Sequence, residues 1–157
     1  MSAAVIVALR VAATPHTAFT AFTDDIGRWW TSHPLFPLSP GGDGVLRFDP
    51  AGAGGRLVTR FDDGEEWEIG PVHCWLPGER LAFGWRLPSF AADQTTEVEV
   101  RFEAVGADTR VTVEHRGWDG IPQSHAARHG FELMLFQRRL GEHWRGLLQA
   151  MAAGFSS

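Results

Sequence analysis

Residues 96–118, TEVEVRFEAVGADTRVTVEHRGW, form the stretch that decides the fold. Polar and apolar side chains alternate through both halves, as in strands with one buried face. The turn VGAD joins the halves, so we predict an antiparallel hairpin. The solvent face carries Glu97, Glu99, Arg101, Glu103, Arg110, Thr112, Glu114 and Arg116. The buried face carries Val98, Val100, Phe102, Val111, Val113 and His115.

The chain before this hairpin reads as one strand, two short helices and more strands. Val5–Val11 is predicted to be the first strand, and Thr14 and Pro15 have the residue types that begin a helix. The sequence DDIGRWW predicts a second, short helix, which ends before a proline-rich stretch. From Gly44 onward, VLRF, GGRLVTRF, EEWEIGPVHCWL and RLAFGWRL are predicted strands separated by turn residues.

After the hairpin, the sequence predicts one long helix from about Ser124 to Ala153. Its apolar residues follow the spacing of a single stripe: Leu133, Phe136, Leu140, Trp144, Leu147 and Met151. A sheet with one apolar face must be covered, and this helix is the element long enough to cover it. We therefore predict an α+β fold with a curved antiparallel sheet of about seven strands, in a single domain over residues 1–157.

Composition excludes several classes of function. The net charge of −5 argues against a broad nucleic-acid-binding face. No apolar run approaches the ~20 residues that cross a bilayer, so no membrane partner is expected. The single cysteine, Cys74, excludes an internal disulfide and suits a reducing compartment, so we predict a cytoplasmic location. Seven tryptophans and eleven phenylalanines supply many large apolar side chains.

Four motifs together resemble a known family. They are AFTAFTDDIGRWW, EIGPVHCWLPGERLAFGWR, the hairpin TEVEVRFEAVGADTRVTVEHRGW and the long last helix. The chain resembles the START/SRPBCC superfamily over about Val5 to Gly154, and within it the group named after the activator of heat-shock protein 90 ATPase. The resemblance implies the helix-grip fold, also called START- or birch-allergen-like, with an apolar cavity between the sheet and the last helix.

The aromatic residues either line such a cavity or fill it. An empty cavity of ~300 Å³ would cost roughly 7 kcal/mol, so it must be occupied, wet or plugged by side chains. Our leading hypothesis is a small domain that binds a hydrophobic or aromatic small molecule there. The candidate lining residues are Trp29, Trp30, Phe36, Trp67, His73, Trp85, Phe102, His115, Trp118, Leu133, Phe136, Leu140 and Trp144. We predict that the adjacent Trp29 and Trp30 serve different surfaces: one packs inward against the last helix or the cavity wall, and the other covers the loop that begins at Thr31.

An enzyme of the cyclase or dehydratase type is the first alternative, with His115 or His73 moving protons in the cavity. The simpler interpretation of His115 is a buried histidine held by hydrogen bonds. No catalytic motif accompanies these residues, so binding is favoured over catalysis. His125 and His129 have zinc-binding spacing but lack an evident third ligand, so we predict neither a metal nor a cofactor.

The resemblance also implies a second alternative, a co-chaperone-like interaction module. The activity in the family name belongs to larger eukaryotic co-chaperones in which this domain is one of two, which argues against a chaperone partner here. A homodimer that forms through an exposed aromatic patch is a separate hypothesis.

Overall fold

The structure is a computed structural model that describes residues 4–30, 44–86, 95–118, 121 and 132–155. In chain order its elements are β1 (Ala4–Val11), α1 (Pro15–Thr23), α2 (Ile26–Trp29), β2 (Val45–Phe48), β3 (Arg56–Arg60), β4 (Glu66–Leu76), β5 (Arg80–Trp85), β6 (Thr96–Val105), β7 (Asp108–Arg116) and α3 (Leu133–Ala153). None of the helices in these ranges has the length and apolar character needed to cross a bilayer.

The seven strands form one antiparallel sheet in the order β1-β7-β6-β5-β4-β3-β2. The predicted hairpin is confirmed as β6 and β7, with Val98 opposite His115 and Val100 opposite Val113. All four of these side chains are buried on the inner face of the sheet, as the alternation predicted. β1 and β2 lie at the two edges of the sheet.

Two irregularities bend the sheet around its inner face. The register shifts between Leu57 and Val58 where β3 pairs with β4, and between Val72 and Cys74 where β4 pairs with β5. Such bulges increase the local twist and bend the strand that carries the extra residue. Between them, the backbones of Gly70 and Gly84 come so close that a Cβ on Gly70 would lie 1.9 Å from the Gly84 carbonyl oxygen.

The first two helices cover the inner face near β6 and β7. The Thr14 hydroxyl accepts a hydrogen bond from the Thr17 N–H at 3.3 Å, and Pro15 occupies the first helical position, as predicted. α1 buries Phe19 and Phe22, and the four-residue α2 follows directly.

The terminal helix starts later than predicted. Glu132 has ψ of 154°, which is extended, and α3 begins at Leu133. The prediction of one continuous helix from about Ser124 to Ala153 is therefore wrong, because the extended Glu132 cannot lie inside a helix. Residues 122–131 lie outside the described ranges. The predicted stripe is buried at Phe136, Leu140, Trp144, Leu147 and Met151. α3 packs mainly on β1, and together these elements make the predicted helix-grip architecture.

The outer face of the sheet is a network of ion pairs. Glu99 accepts hydrogen bonds from Arg116 at 3.0 Å and Arg101 at 3.2 Å, and it lies 3.5 Å from the Arg80 guanidinium. Burial raises the pKa of Glu99, but these arginines outweigh burial and hold the pKa below its usual value. Cys74 is half-buried on this face. The arginines here are neutralised by carboxylates and do not form a basic surface.

The Gly70–Gly84 crossing gives a prediction about stability. Replacing Gly70 with Ala places the new methyl group against the backbone of β5, so the two strands must move apart. We expect the free energy of unfolding to fall by about 2 kcal/mol or more. Urea unfolding followed by circular dichroism measures it.

Gly146→Ala is the matched control. Gly146 lies within α3 with nothing within 4 Å of its added Cβ, so alanine should stabilise the protein by about 0.5–1 kcal/mol. Equal effects of the two substitutions would contradict the close approach of β4 and β5.

Candidate functional site

The inner face carries two groups of packed aromatic rings. We call the first the helix-side cluster; it lies between α3 and strands β5 to β7 and contains Trp30, Trp85, His115, Trp118, Phe136 and Trp144. We call the second the α1-side cluster; it contains Phe19, Phe22, Phe48, Trp75, Phe83 and Phe102. Ring centroids of contacting pairs are 4.6 Å apart for Trp118 and Phe136 and 6.2 Å apart for Phe22 and Phe102. Side chains therefore fill the groove where these clusters lie.

The two adjacent tryptophans connect these clusters. Trp29 packs against Phe22 at 5.0 Å, and its indole N–H donates to the Ala21 carbonyl at 3.0 Å. Trp30 packs against Trp144 of α3 at 4.9 Å and against Trp85 at 5.1 Å. Both side chains are buried: Trp30 packs inward against the last helix, as predicted for one of the pair, and Trp29 contacts α1. The loop that the other tryptophan was predicted to cover begins at Thr31 and lies outside the described residues.

A chain of buried hydrogen bonds runs through the helix-side cluster. The Trp144 indole N–H donates to His115 Nδ1 at 3.1 Å. Because an indole nitrogen can only donate, His115 Nδ1 must accept, and the ring proton of the neutral imidazole is then on Nε2. Nε2–H donates to the Thr96 hydroxyl at 2.8 Å, which donates to the Trp85 carbonyl at 2.9 Å. Every member of the chain has its partner.

This environment keeps His115 neutral. Complete burial and, as a smaller cause, the nearby His143 together lower the pKa of His115 from 6.5 to about 3. Both ring nitrogens form hydrogen bonds, and Nδ1 accepts from the Trp144 indole N–H, which can only donate. His115 is thus held by hydrogen bonds, which is the simpler of the two predicted roles, and it is poorly suited to act as a general base near neutral pH.

Three other buried polar groups on the inner face have no hydrogen-bond partner within the described part of the chain. They are the indole N–H groups of Trp30 and Trp67 and the hydroxyl of Thr59. Thr59 and Trp67 are directly opposite each other on β3 and β4 and share one face. That face is the inner one, because Thr59 is also opposite the buried Leu46. Thr59 and Trp67 place two unpaired groups at the β3–β4 end of the groove, and Trp30 places the third within the helix-side cluster.

The remaining predicted residues are distributed as follows. Phe102 lies on the inner face, but it packs under α1 against Phe19. Leu140 is buried on α3, and Leu133 is the first residue of that helix. Phe36 lies outside the described residues.

His73 does not line the inner groove, in contrast to our prediction. It is the extra residue in the β4–β5 bulge, so it is exposed on the outer face, where its Nε2 lies near Gly84. There it borders an open cleft of about 560 Å³ with Thr95, Glu97 and Arg116. The alternation of inner and outer side chains along β4 does not predict this position, because the bulge adds one residue at His73 and the alternation does not continue through it.

No group of three histidine, cysteine, aspartate or glutamate side chains in the described ranges is close enough to hold a metal ion. His125 and His129 fall outside those ranges.

Comparison with known proteins identifies the family. Residues 12–152 match the family model described as "Activator of Hsp90 ATPase homolog 1-like protein". The chain belongs to this family. No match was found among proteins with curated descriptions.

Solved structures similar to this family member share its fold. The Aha1 dimer from Colwellia psychrerythraea is 18% identical, with a TM-score of 0.64 over 97% of this chain and 95% of that chain. Protein Mll3558 from Rhizobium loti is 23% identical, with a TM-score of 0.64 over 98% and 96%. DynU16, described as a putative protein in the dynemicin biosynthetic locus, is 22% identical, with a TM-score of 0.62 over 96% of this chain and 46% of that chain.

Two polar residues of this family member's inner face were missing from the sequence prediction. Thr96 completes the hydrogen bonds of His115, and Thr59 is opposite Trp67. Alternation places Thr96 on the same face as Val98, so the sequence carried that signal. Thr59 carried the same signal, because it lies two residues after the buried Leu57 and the extra residue of the β3–β4 bulge is in β4.

The buried His115 predicts a specific loss of stability in mild acid. Its pKa is about 3 in the folded protein and 6.5 when exposed, so the unfolded chain binds the extra proton between these values. Well above pH 6.5, His115 is neutral in both the folded and the unfolded chain, so its titration takes nothing from the free energy of unfolding. Between pH 6.5 and 5, the free energy of unfolding should fall by about 2 kcal/mol, because each unit corresponds to ~1.4 kcal/mol.

Urea unfolding at several pH values measures this slope. His115→Phe should lower stability at pH 7, because it leaves the Trp144 and Thr96 groups without their partner, but it should flatten the slope. His73→Gln changes an exposed histidine and should keep the wild-type slope. A wild-type slope in His115→Phe would show that other groups cause the pH dependence.

Proposed function

We propose that this protein binds a hydrophobic or aromatic small molecule that carries an oxygen acceptor, in the groove between the sheet and α3. The observation that supports this most is the set of unpaired polar groups: the indole N–H groups of Trp30 and Trp67 and the Thr59 hydroxyl. A buried polar group without a partner costs about 1–3 kcal/mol. Three of them cost a substantial part of the 5–15 kcal/mol that stabilises a typical domain.

A ligand oxygen between these groups would recover that cost. Trp30 and Trp67 each offer one N–H donor on an apolar ring, and Thr59 can donate or accept. An aromatic ligand with a carbonyl, hydroxyl or carboxylate oxygen therefore suits this surface better than a plain hydrocarbon. Small-molecule sites typically combine such apolar walls with a few polar groups that fix orientation.

The ligand space lies at the β3–β4 end of the groove in this proposal. Within the helix-side cluster the rings pack on one another and the hydrogen-bond chain through His115 is complete, but the Trp30 N–H has no partner in the described residues. We therefore propose Trp30 and Trp67 as the contact residues, with Trp85 packed against Trp30. Trp144 packs against Trp30, and Trp118 and Phe136 pack against each other in the same cluster.

Catalysis of the cyclase or dehydratase type remains a second proposal with less support. It requires two ionisable groups that converge in the groove. His115 has both nitrogens in hydrogen bonds, and His73 lies on the opposite face of the sheet. The description of DynU16, from a biosynthetic locus, is the observation in its favour.

For partners, we propose self-association, supported by the dimer named for the Colwellia psychrerythraea relative. We also propose that the chain acts as a single domain in the cytoplasm without a chaperone partner.

Paired probes test the proposed ligand class. 2-Acetylnaphthalene carries a carbonyl acceptor, and 2-ethylnaphthalene has nearly the same shape without one. We expect the wild-type protein to bind the acetyl compound about threefold to tenfold more tightly, since one hydrogen bond contributes ~0.5–1.5 kcal/mol. Quenching of tryptophan fluorescence gives both affinities.

Substitutions assign this preference to the unpaired groups. Trp30→Phe with Trp67→Phe removes both indole N–H groups but keeps aromatic rings, so the preference should disappear. Trp29→Phe is the control, because its N–H already donates to Ala21, and it should keep the preference. If neither probe binds the wild-type protein, or if both bind equally, the proposed ligand class is wrong.

A further inference from the structure

The free edge of β1 offers backbone hydrogen-bonding groups to a partner. Among the described strands, β1 pairs with β7 alone. The Ala4 carbonyl accepts a hydrogen bond from the Gln137 side chain of α3 at 3.2 Å, so this carbonyl faces away from β7. Because alternate residues of a strand bond to the same side, the N–H and C=O groups of Ile6 and Ala8 also face the free edge.

Within the described residues, few of the features that usually block strand pairing lie at this edge. Exposed edges are commonly protected by charged residues, proline, a bulge or a covering loop. The pairing of β1 with β7 runs without a register shift from Ala4 to Val11, the strand contains no proline, and its one charged side chain, Arg10, is paired with Asp108 at 2.8 Å. Ile6, at the centre of the free edge, is 64% exposed.

A groove beside this edge extends the surface onto α3. The groove has a volume of about 540 Å³ and lies between the first four residues of β1 and one stripe of the helix. The stripe consists of Met134, Gln137, Arg138, Gly141, Glu142 and Arg145. Met134, at one end of the stripe, is 82% exposed. Methionine is enriched at protein interfaces, so an exposed methionine here is consistent with a contact surface.

The charges on this stripe suit a second copy of the same stripe. Glu142 lies 3.5 Å from Arg139 and 3.9 Å from Arg138 of its own helix, both at exposed side chains, whereas Arg145 forms no ion pair with a described residue. The twofold axis of an antiparallel β1 pair is perpendicular to the strands and also relates the two α3 helices. Glu142 of one copy can then face Arg145 of the other, and the reciprocal pair forms at the same time.

We propose that the free edge of β1 and this stripe of α3 form a homodimer interface, in which the β1 strands of two copies pair antiparallel and extend one sheet across both. Centred on Val7, the pairing sets Ile6 of each copy opposite Ala8 of the other, so a large side chain meets a small one. The proposal names the surface for the self-association proposed above, and it does not depend on the ligand.

Sedimentation velocity over a wide range of concentrations tests the surface. Ile6→Lys introduces the residue that natural edges use against pairing, at a side chain that is already exposed, so the fold should persist. We expect it to raise the dimer dissociation constant about tenfold or more, the factor that corresponds to ~1.4 kcal/mol. Ala8→Pro removes an N–H from the free edge, a position where proline is tolerated, and should have the same effect.

Val45→Lys is the matched control, because Val45 lies on the other edge strand, β2, and is 59% exposed. It should leave the dissociation constant unchanged. A wild-type protein that stays monomeric throughout would overturn self-association itself. A dimer that Val45→Lys weakens, or that survives both β1 substitutions, would overturn only the assignment to β1. Neither outcome bears on the binding of the naphthalene probes.

Discussion

The hydrogen bond from Trp144 to His115 is the constraint on which the arrangement of helix and sheet depends. Apolar contacts alone tolerate small rotations of a helix on a sheet, because burial is non-directional. An indole N–H and an imidazole nitrogen must meet at a fixed distance and angle, and both are fully buried here. Breaking that contact leaves two buried groups unpaired, so the bond fixes one rotation of α3.

Several features of the molecule follow from this rotation. Trp144 turned toward β7 also contacts Trp30, so the end of α2 is held against the last helix. Gly141, three residues earlier, then faces β1, where a Cβ on it would lie 3.5 Å from Val5. The stripe of α3 that begins at Met134 and includes Gly141 lies beside the buried face, at the edge of the sheet. One buried polar contact thus determines which residues line the groove and which remain at the surface.

The sequence predicted the features that depend on local alternation or helical spacing. It did not predict the contacts that depend on how separate helices and strands are placed. The burial of His115 followed from its position in phase with Val113, and the stripe of α3 followed from helical spacing. The partner of His115 did not follow, because nothing local relates Trp144 to β7. The start of α3 and the outward position of His73 were missed, because an extended residue at Glu132 and a bulge in β4 interrupt patterns that otherwise continue. The unpaired indole groups depend on which neighbours reach them, so no sequence pattern predicts them.

The two ends of the groove differ in how completely their polar groups are satisfied, and this difference bears on function. At the helix-side cluster every polar atom of the chain from Trp144 to Trp85 has a partner, as buried groups in folded proteins nearly always do. At the β3–β4 end, Thr59 and Trp67 are buried without partners on the same face. Core packing alone would favour apolar side chains there, since valine resembles threonine in shape and carries no hydroxyl to bury. Departures from otherwise consistent packing are expected at functional sites. The hydrogen-bond chain through His115 is therefore complete, whereas Thr59, Trp67 and the Trp30 N–H have no partner within the described residues, and the proposed oxygen-bearing ligand would supply one.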